Sequence, residues 1–237
     1  SVPDGPLDRT VDVDVVLVRQ MLEAVYLRTR VLENRIAYAR ADQCYDTLAE
    51  DLTAAVTTLT ESAADNRSDT AVQGLVLDLR ANPGGSLICA VTSVDLFIDS
   101  GTIVTTESHR GTESYDATSY TPFASTALVV LVDGGTASAA EIIAGALQDY
   151  GRATIVGGQT FGKGSVQTLL PPLANGSALK ITTAHYRTPK GRRFSEVGLM
   201  PDVAVNSLDE SAVLAAALQV IADQVNQAQT PSLSSVE

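Results

Sequence analysis

Positive charge is scarce in this chain. Its 237 residues carry 16 Lys and Arg against 28 Asp and Glu, a formal net charge of −12. No basic stripe is available to neutralise phosphates, which argues against a nucleic-acid partner. The acidity reads first as a solubility or high-salt adaptation, ahead of an acidic recognition surface. Long apolar runs are also missing: none approaches the roughly 18 residues of a membrane span. No basic-then-apolar signal segment opens the sequence, and residues 1–10 read as a linker. Histidine is limited to His109 and His185 and cysteine to Cys44 and Cys89. No His, Cys and acidic cluster has metal-ligand spacing, so neither metal nor cofactor is expected. The two cysteines could pair, but two thiols in a chain of this size are more often buried and free.

What remains is enough for one large domain. Hydrophobic residues make up 45% and charged residues 19%, a balance that suits a well-buried core. The expected division is a linker at 1–10, a core at 11–227 and a flexible tail at 228–237. Residues 11–18, VDVDVVLV, alternate as a half-exposed strand, and RIAYARA at 35–41 reads as another. Residues 45–62 form an amphipathic helix with Leu48, Leu52, Val56 and Leu59 on one stripe. A polar turn, ADNRSD, follows. GLVLDLR at 74–80 and ALVVLVD at 127–133 are near-continuous apolar runs of the kind found in buried parallel strands. Helices are expected over 87–98, 137–151 and 207–225, and shorter strands at 102–106, 153–158, 165–171 and 177–188, the last two joined through ANGS. The polar stretch 107–122 reads as a surface hairpin or a substrate-facing loop. Alternating strands and helices imply an α/β core with parallel pairing, and the late hairpins imply a mixed sheet.

Three turns that follow strands carry the candidate chemistry. In VLVDGGTASAAE, 130–141, Ser138 stands where a buried strand meets glycines and a helix start. Free amides and the helix dipole at such a corner favour a developing oxyanion. Ser138 and Glu141 also fit a capping box, in which the serine only caps the helix. Thr136 could supply the cap and free Ser138. In QTFGKGSVQ, 159–167, Lys163 lies between two glycines. A solvated loop lysine is the ordinary reading. A lysine ionises near pH ~10.4, but burial away from acids lowers that value and makes the amine a usable base. No acidic residue lies between Tyr150 and Ala184. Gln167 could orient the amine without adding charge, or be an ordinary strand residue. In LDLRANPGGS, 77–86, the Asn-Pro-Gly-Gly turn offers backbone amides, and Gly84 is the candidate second oxyanion donor. No usable Ser-His-Asp order exists. His185 falls in an alternating strand, where a structural role is expected, and His109 in the polar loop, where it is expected to be solvated.

Taken together, DLRANPGG, VLVDGGTASAAEI and GALQDYGRATIVGGQTFGKGSVQT, with ITTAHYRTPKGRR and GLMPDV downstream, resemble the C-terminal processing peptidases, or tail-specific proteases. The match spans roughly residues 11–205. The resemblance implies a crotonase- or ClpP-like α/β core. It implies Ser138 as nucleophile, Lys163 as general base, Gln167 as the residue that orients the lysine, and the amides of Gly84 and Ala139 as the oxyanion hole. It implies an endopeptidase acting near the apolar C-termini of proteins, outside the cytoplasm, with a homo-oligomer compatible. Relatives usually carry a PDZ domain before the segment matching VDVDVVLVRQM, so the sequence reads as a catalytic core without that domain. The helical extensions that some relatives use to oligomerise are not found. Alternatives remain open: a non-catalytic or latent binding module of the same fold, inactive without its PDZ domain, or an acyl-CoA enzyme of the crotonase type.

Overall fold

The computed structural model describes residues 25–62, 72–170, 177–205 and 209–229. The expected strand at 11–18, the linker, the ADNRSD turn and most of the ANGS link lie outside the described residues.

Six separate segments of the chain build the larger sheet. Along it run β1 (Leu27–Leu32), β2 (Ile36–Ala41), β3 (Gly74–Asp78), β6 (Ala127–Val132), β7 (Thr154–Gly157) and β10 (Val203–Ala204), in that spatial order. Only β1 is antiparallel to its neighbour; β2 through β10 pair in parallel. The fold class is α/β with a mixed, largely parallel sheet, as expected. β3 is buried along its whole length and β6 along nearly all of it, because helices cover both faces. That is why these two strands read as continuous apolar runs rather than alternating ones.

On one face, Leu75, Leu77, Leu128 and Val130 pack with helices α1 (Leu48–Ser62), α2 (Leu87–Asp95) and α3 (Ala139–Asp149). On the other, Val76, Val129, Leu131 and Val156 meet α4 (Glu210–Gln229). α4 presents Val213, Ala217 and Ile221 at four-residue spacing, one stripe of a 3.6-residue helix. Within α1 the expected stripe holds: Leu48, Leu52 and Val56 are buried and Leu59 packs against them. The helix itself begins at Leu48, since residues 45–47 close a turn through the bond from Leu48 N to Tyr45 O. α4 runs to Gln229, past the helix end expected at 225.

A second, antiparallel sheet flanks the first, ordered β5 (Gly111–Asp116), β4 (Thr102–Ser108), β9 (Lys180–Arg187) and β8 (Ser165–Leu169). The polar stretch from 107 thus begins as a hairpin, with β5 folded back on β4.

One expectation is corrected here. Cys44 and Cys89 are joined in a disulfide. Forty-five residues separate them, but the first turn of α2 lies beside the segment that leaves β2, so distance along the chain said nothing about proximity. Closing a loop of that length removes enough unfolded-state freedom to stabilise the fold by about 4 kcal/mol.

Candidate active site

β3, β6 and β7 are neighbours in the sheet, so the turns at their carboxyl ends share one edge of it. These are the three turns that carry the candidate residues, at the place where α/β folds collect function. They are bonded to each other. Ala137 N donates to Asn82 O at 2.9 Å, and Phe161 N donates to Thr136 O at 3.0 Å. The carboxylate of Asp133 accepts Ala81 N at 2.9 Å. Thr136 is buried; its hydroxyl donates to Leu79 O at 2.8 Å and accepts Asp133 N at 2.9 Å. It therefore ties two turns together and does not cap α3.

Ser138 occupies the N-cap of α3, at φ 57° and ψ −119°. An ordinary capping serine is extended; this one sits in a region that non-glycine residues seldom adopt. Its hydroxyl makes no cap hydrogen bond, while Glu141, the third helical residue, accepts Ser138 N. The amide of Ala139, next along, has no hydrogen-bond partner among the described residues.

Glu141 is the residue that sequence reasoning undervalued. It is fully buried, and its carboxylate gathers donors from both the Ser138 and the Lys163 turns. Oε2 accepts Ser138 N at 2.9 Å and Lys163 N at 2.8 Å. Oε1 accepts Gly162 N at 2.7 Å and the hydroxyl of Thr160 at 2.5 Å. The nitrogens of Ser138 and Lys163 can therefore be no farther apart than two hydrogen bonds laid end to end. The serine and the lysine are brought together by one acid. The signal that could have found this was present: a Ser-x-x-Glu box whose glutamate is followed, one element later, by a glycine-rich loop of free amides.

Two expectations about the lysine meet a different environment. Lys163 is exposed, and so is Gln167. The span from 150 to 184 lacks acids in sequence, yet the loop wraps around Glu141 from α3. Gln167, in β8, donates its side-chain amide to Thr182 Oγ1 at 2.6 Å and Ser165 Oγ at 3.2 Å, not to the lysine. Gly162 has φ 91°, and a Cβ there would come within 2.8 Å of Gly198 N. Only glycine lets this loop pass so close to the 196–198 turn.

Gly84 lies against the serine. A Cβ built on it would be 2.7 Å from Ser138 Cβ and 2.8 Å from Ala139 N. Its own amide donates to Asn82 Oδ1 at 2.8 Å, while the amide of Gly85 has no partner among the described residues. Asn82 also donates from Nδ2 to Ala41 O at 2.8 Å, anchoring the turn to β2.

Behind the site, Asp78 is fully buried. It accepts the Tyr38 hydroxyl at 2.5 Å and Nη2 of Arg80 at 2.6 Å. The bond to Asp78 raises the Arg80 pKa and keeps the guanidinium charged. Burial, and then the bond to Asp78, push the Tyr38 phenol above its ordinary value. His109, at the β4–β5 turn, and His185, on β9, are both exposed, and neither joins Ser138. Among the described residues no group of His, Cys and acidic side chains could hold a metal, and no helix is long and apolar enough to cross a membrane.

The model of peptidase family S41 matches residues 35–205. The chain belongs to that family. Among S41 relatives, a carboxy-terminal-processing protease of Bartonella bacilliformis is 41% identical over 194 residues, which are 81% of this chain and 43% of that protein. A carboxyl-terminal-processing protease of Synechocystis sp. is 37% identical over 193 residues, 80% of this chain and 43% of the other. A solved structure, the photosystem II D1 C-terminal processing protease, superposes with a TM-score of 0.68 at 32% identity. It covers 79% of this chain and 50% of its own. This S41 chain thus spans less than half the length of the curated relatives named here.

Proposed function

We propose that this chain is the catalytic core of a serine endopeptidase that cleaves protein substrates near apolar C-termini through a Ser138–Lys163 dyad. The observation that carries the reading is the single carboxylate oxygen of Glu141 shared by the amides of both residues.

In this mechanism the uncharged amine of Lys163 takes the hydroxyl proton as Ser138 Oγ attacks the scissile carbonyl carbon. The carbonyl oxygen becomes an oxyanion, held by the Ala139 amide and by an amide of the Gly84–Gly85 turn. Gly84 must release or share its bond to Asn82 to take part; Gly85 needs no such release. The tetrahedral adduct collapses, and the C–N bond breaks as the Lys163 ammonium hands its proton to the leaving amine. Water, losing a proton to the regenerated amine, then attacks the acyl-enzyme ester; the ester C–O bond breaks as Lys163 returns that proton to Ser138 Oγ, which frees the acid and the serine. A substrate chain lying over the exposed lysine removes water from the amine and favours its neutral form. Gln167 would hold the amine once it lets go of Thr182. Both dyad residues come from one chain, so the chemistry needs no oligomer, and it calls for no cofactor.

A second reading is favoured by the bonds of Gln167. With its amide held by Thr182 and Ser165, the core stands in a latent arrangement, to be switched on by a preceding PDZ domain that presents substrate. Work outside the cytoplasm fits the disulfide, since such bonds persist in oxidising compartments.

The test is turnover of a peptide with an apolar C-terminus by the chain and by Ser138→Ala and Lys163→Ala. Cleavage abolished in both variants supports the dyad. Cleavage only when a PDZ domain is supplied supports the latent reading. Cleavage by Lys163→Ala at the unmodified rate overturns the assignment.

A further inference from the structure

The disulfide does more than close a long loop. Cys44 and Cys89 are sealed from solvent, at 1% and 0% exposure. Cys44 lies just beyond the end of β2, and its backbone holds the glycine turn on both sides. Its amide donates to Gly84 O at 3.0 Å, and its carbonyl accepts Ser86 N at 3.1 Å, a short parallel bridge to Gly85. The approach is so close that a Cβ on Gly85 would stand 1.8 Å from Cys44 O. Ser86 then caps α2 by accepting Ile88 N, and Cys89 lies in the first turn of that helix. The turn is therefore held at one side by the Cys44 backbone and at its far end by a helix covalently tied to the same residue. Its opposite side meets Ser138 and Ala139 through Gly84.

We propose that Cys44 and Cys89 are positioning residues: their disulfide sets the amides of the Gly84–Gly85 turn at the distance from Ser138 that catalysis requires. The proposal rests on the Ser–Lys reading of the site. Without the crosslink the turn would depend on hydrogen bonds alone, in a segment where Ala81, Pro83 and Gly85 are already exposed. Oxyanion donors act only over a narrow range of positions. A misplacement of about 1 Å can cost on the order of 10²-fold in rate, and complete loss of a donor about 10²–10³-fold. Oxyanion donors act on charge that develops in the transition state, so the loss falls on kcat and leaves KM nearly unchanged.

The experiment compares the unmodified chain with Cys44→Ser/Cys89→Ser and with the better-packed Cys44→Ala/Cys89→Val. It measures kcat and KM on the peptide and hydrogen exchange of backbone amides. Expected are a kcat lower by about 10-fold or more and faster exchange at Cys44 and Ser86, with β3 and β6 still protected. Unchanged kcat with unchanged exchange in the turn would overturn the proposal. So would a uniform rise in exchange throughout the core, which marks a staple for stability alone. Should the unmodified chain neither cleave nor react at Ser138 with a serine-directed phosphonate, the Ser–Lys reading fails. The exchange pattern at Cys44 and Ser86 then still decides whether the disulfide holds the turn.

Discussion

The amides of Ser138 and Lys163 donate to one oxygen, Oε2 of Glu141. A helix start and a distant loop are thereby held in one frame. The buried carboxylate that does this needs no cation beside it, because four N–H and O–H donors face it. Hydrogen bonds to a charged group are the strong ones.

Glu141→Gln tests that frame. The side chain keeps its shape, but one carboxylate oxygen becomes an NH2 group aimed at N–H donors. Loss of charge-assisted bonds at a buried site should lower stability by about 3 kcal/mol. The shift between serine and lysine should cut kcat/KM by roughly 10²-fold. Urea unfolding and peptide turnover measure the two effects. An active variant of normal stability would mean that Glu141 is only a helix cap.

Gly84→Ala places a methyl group 2.7 Å from Ser138 Cβ, at a backbone φ of 91°. Strain of this kind costs on the order of 1–3 kcal/mol, and the clash falls on the turn that carries Ser138. The expected result is a chain with a native circular dichroism spectrum and no detectable turnover. Normal turnover would place the oxyanion away from this turn.

Tyr38 gives the pH prediction. Burial, with the bond to Asp78, holds its folded-state pKa above the ordinary value, so the native state keeps a proton that the unfolded chain loses. Its contribution to stability is complete below pH about 10 and is lost as pH rises through the folded-state value. Tyr38→Phe should flatten the alkaline decline of Tm. Near neutrality it should cost about 1–3 kcal/mol, by leaving the buried Asp78 short of a donor. An identical alkaline slope in both proteins would show that Tyr38 does not titrate as described.

Gln167→Ala separates the two readings of the site. If Gln167 moves onto the lysine during turnover, the substitution lowers kcat by about 10-fold or more, within the range of general-base effects. If it serves only to pair β8 with β9 through Thr182, kcat stays and only Tm falls. Paired measurements of the two quantities decide between them.

Much of this was legible in the sequence, for physical reasons that can be named. β3 and β6 announced themselves because both of their faces are buried. Ser138, Lys163 and Gly84 stood out because each sits in a glycine-bearing turn after such a strand. β1 escaped notice as an exposed edge strand in which arginines at 28 and 30 interrupt the apolar positions. β10 has only two residues and exists through its pairing with β7. β5, GTESYD, has little strand propensity; it is held by its register on β4 and by the bond from Thr102 to Asp116. The disulfide and the reach of Glu141 were hidden because both join elements far apart in the chain. An acid-free stretch of sequence is not an acid-free site when a neighbouring helix supplies the carboxylate.

The most direct test of the Ser138–Lys163 dyad is the rate at which a serine-directed phosphonate labels the protein, followed by mass spectrometry of the peptides. One adduct on Ser138 is expected, formed about 10²–10⁴-fold more slowly in Lys163→Ala. An adduct on another residue, or labelling of Lys163→Ala at the unmodified rate, would contradict it.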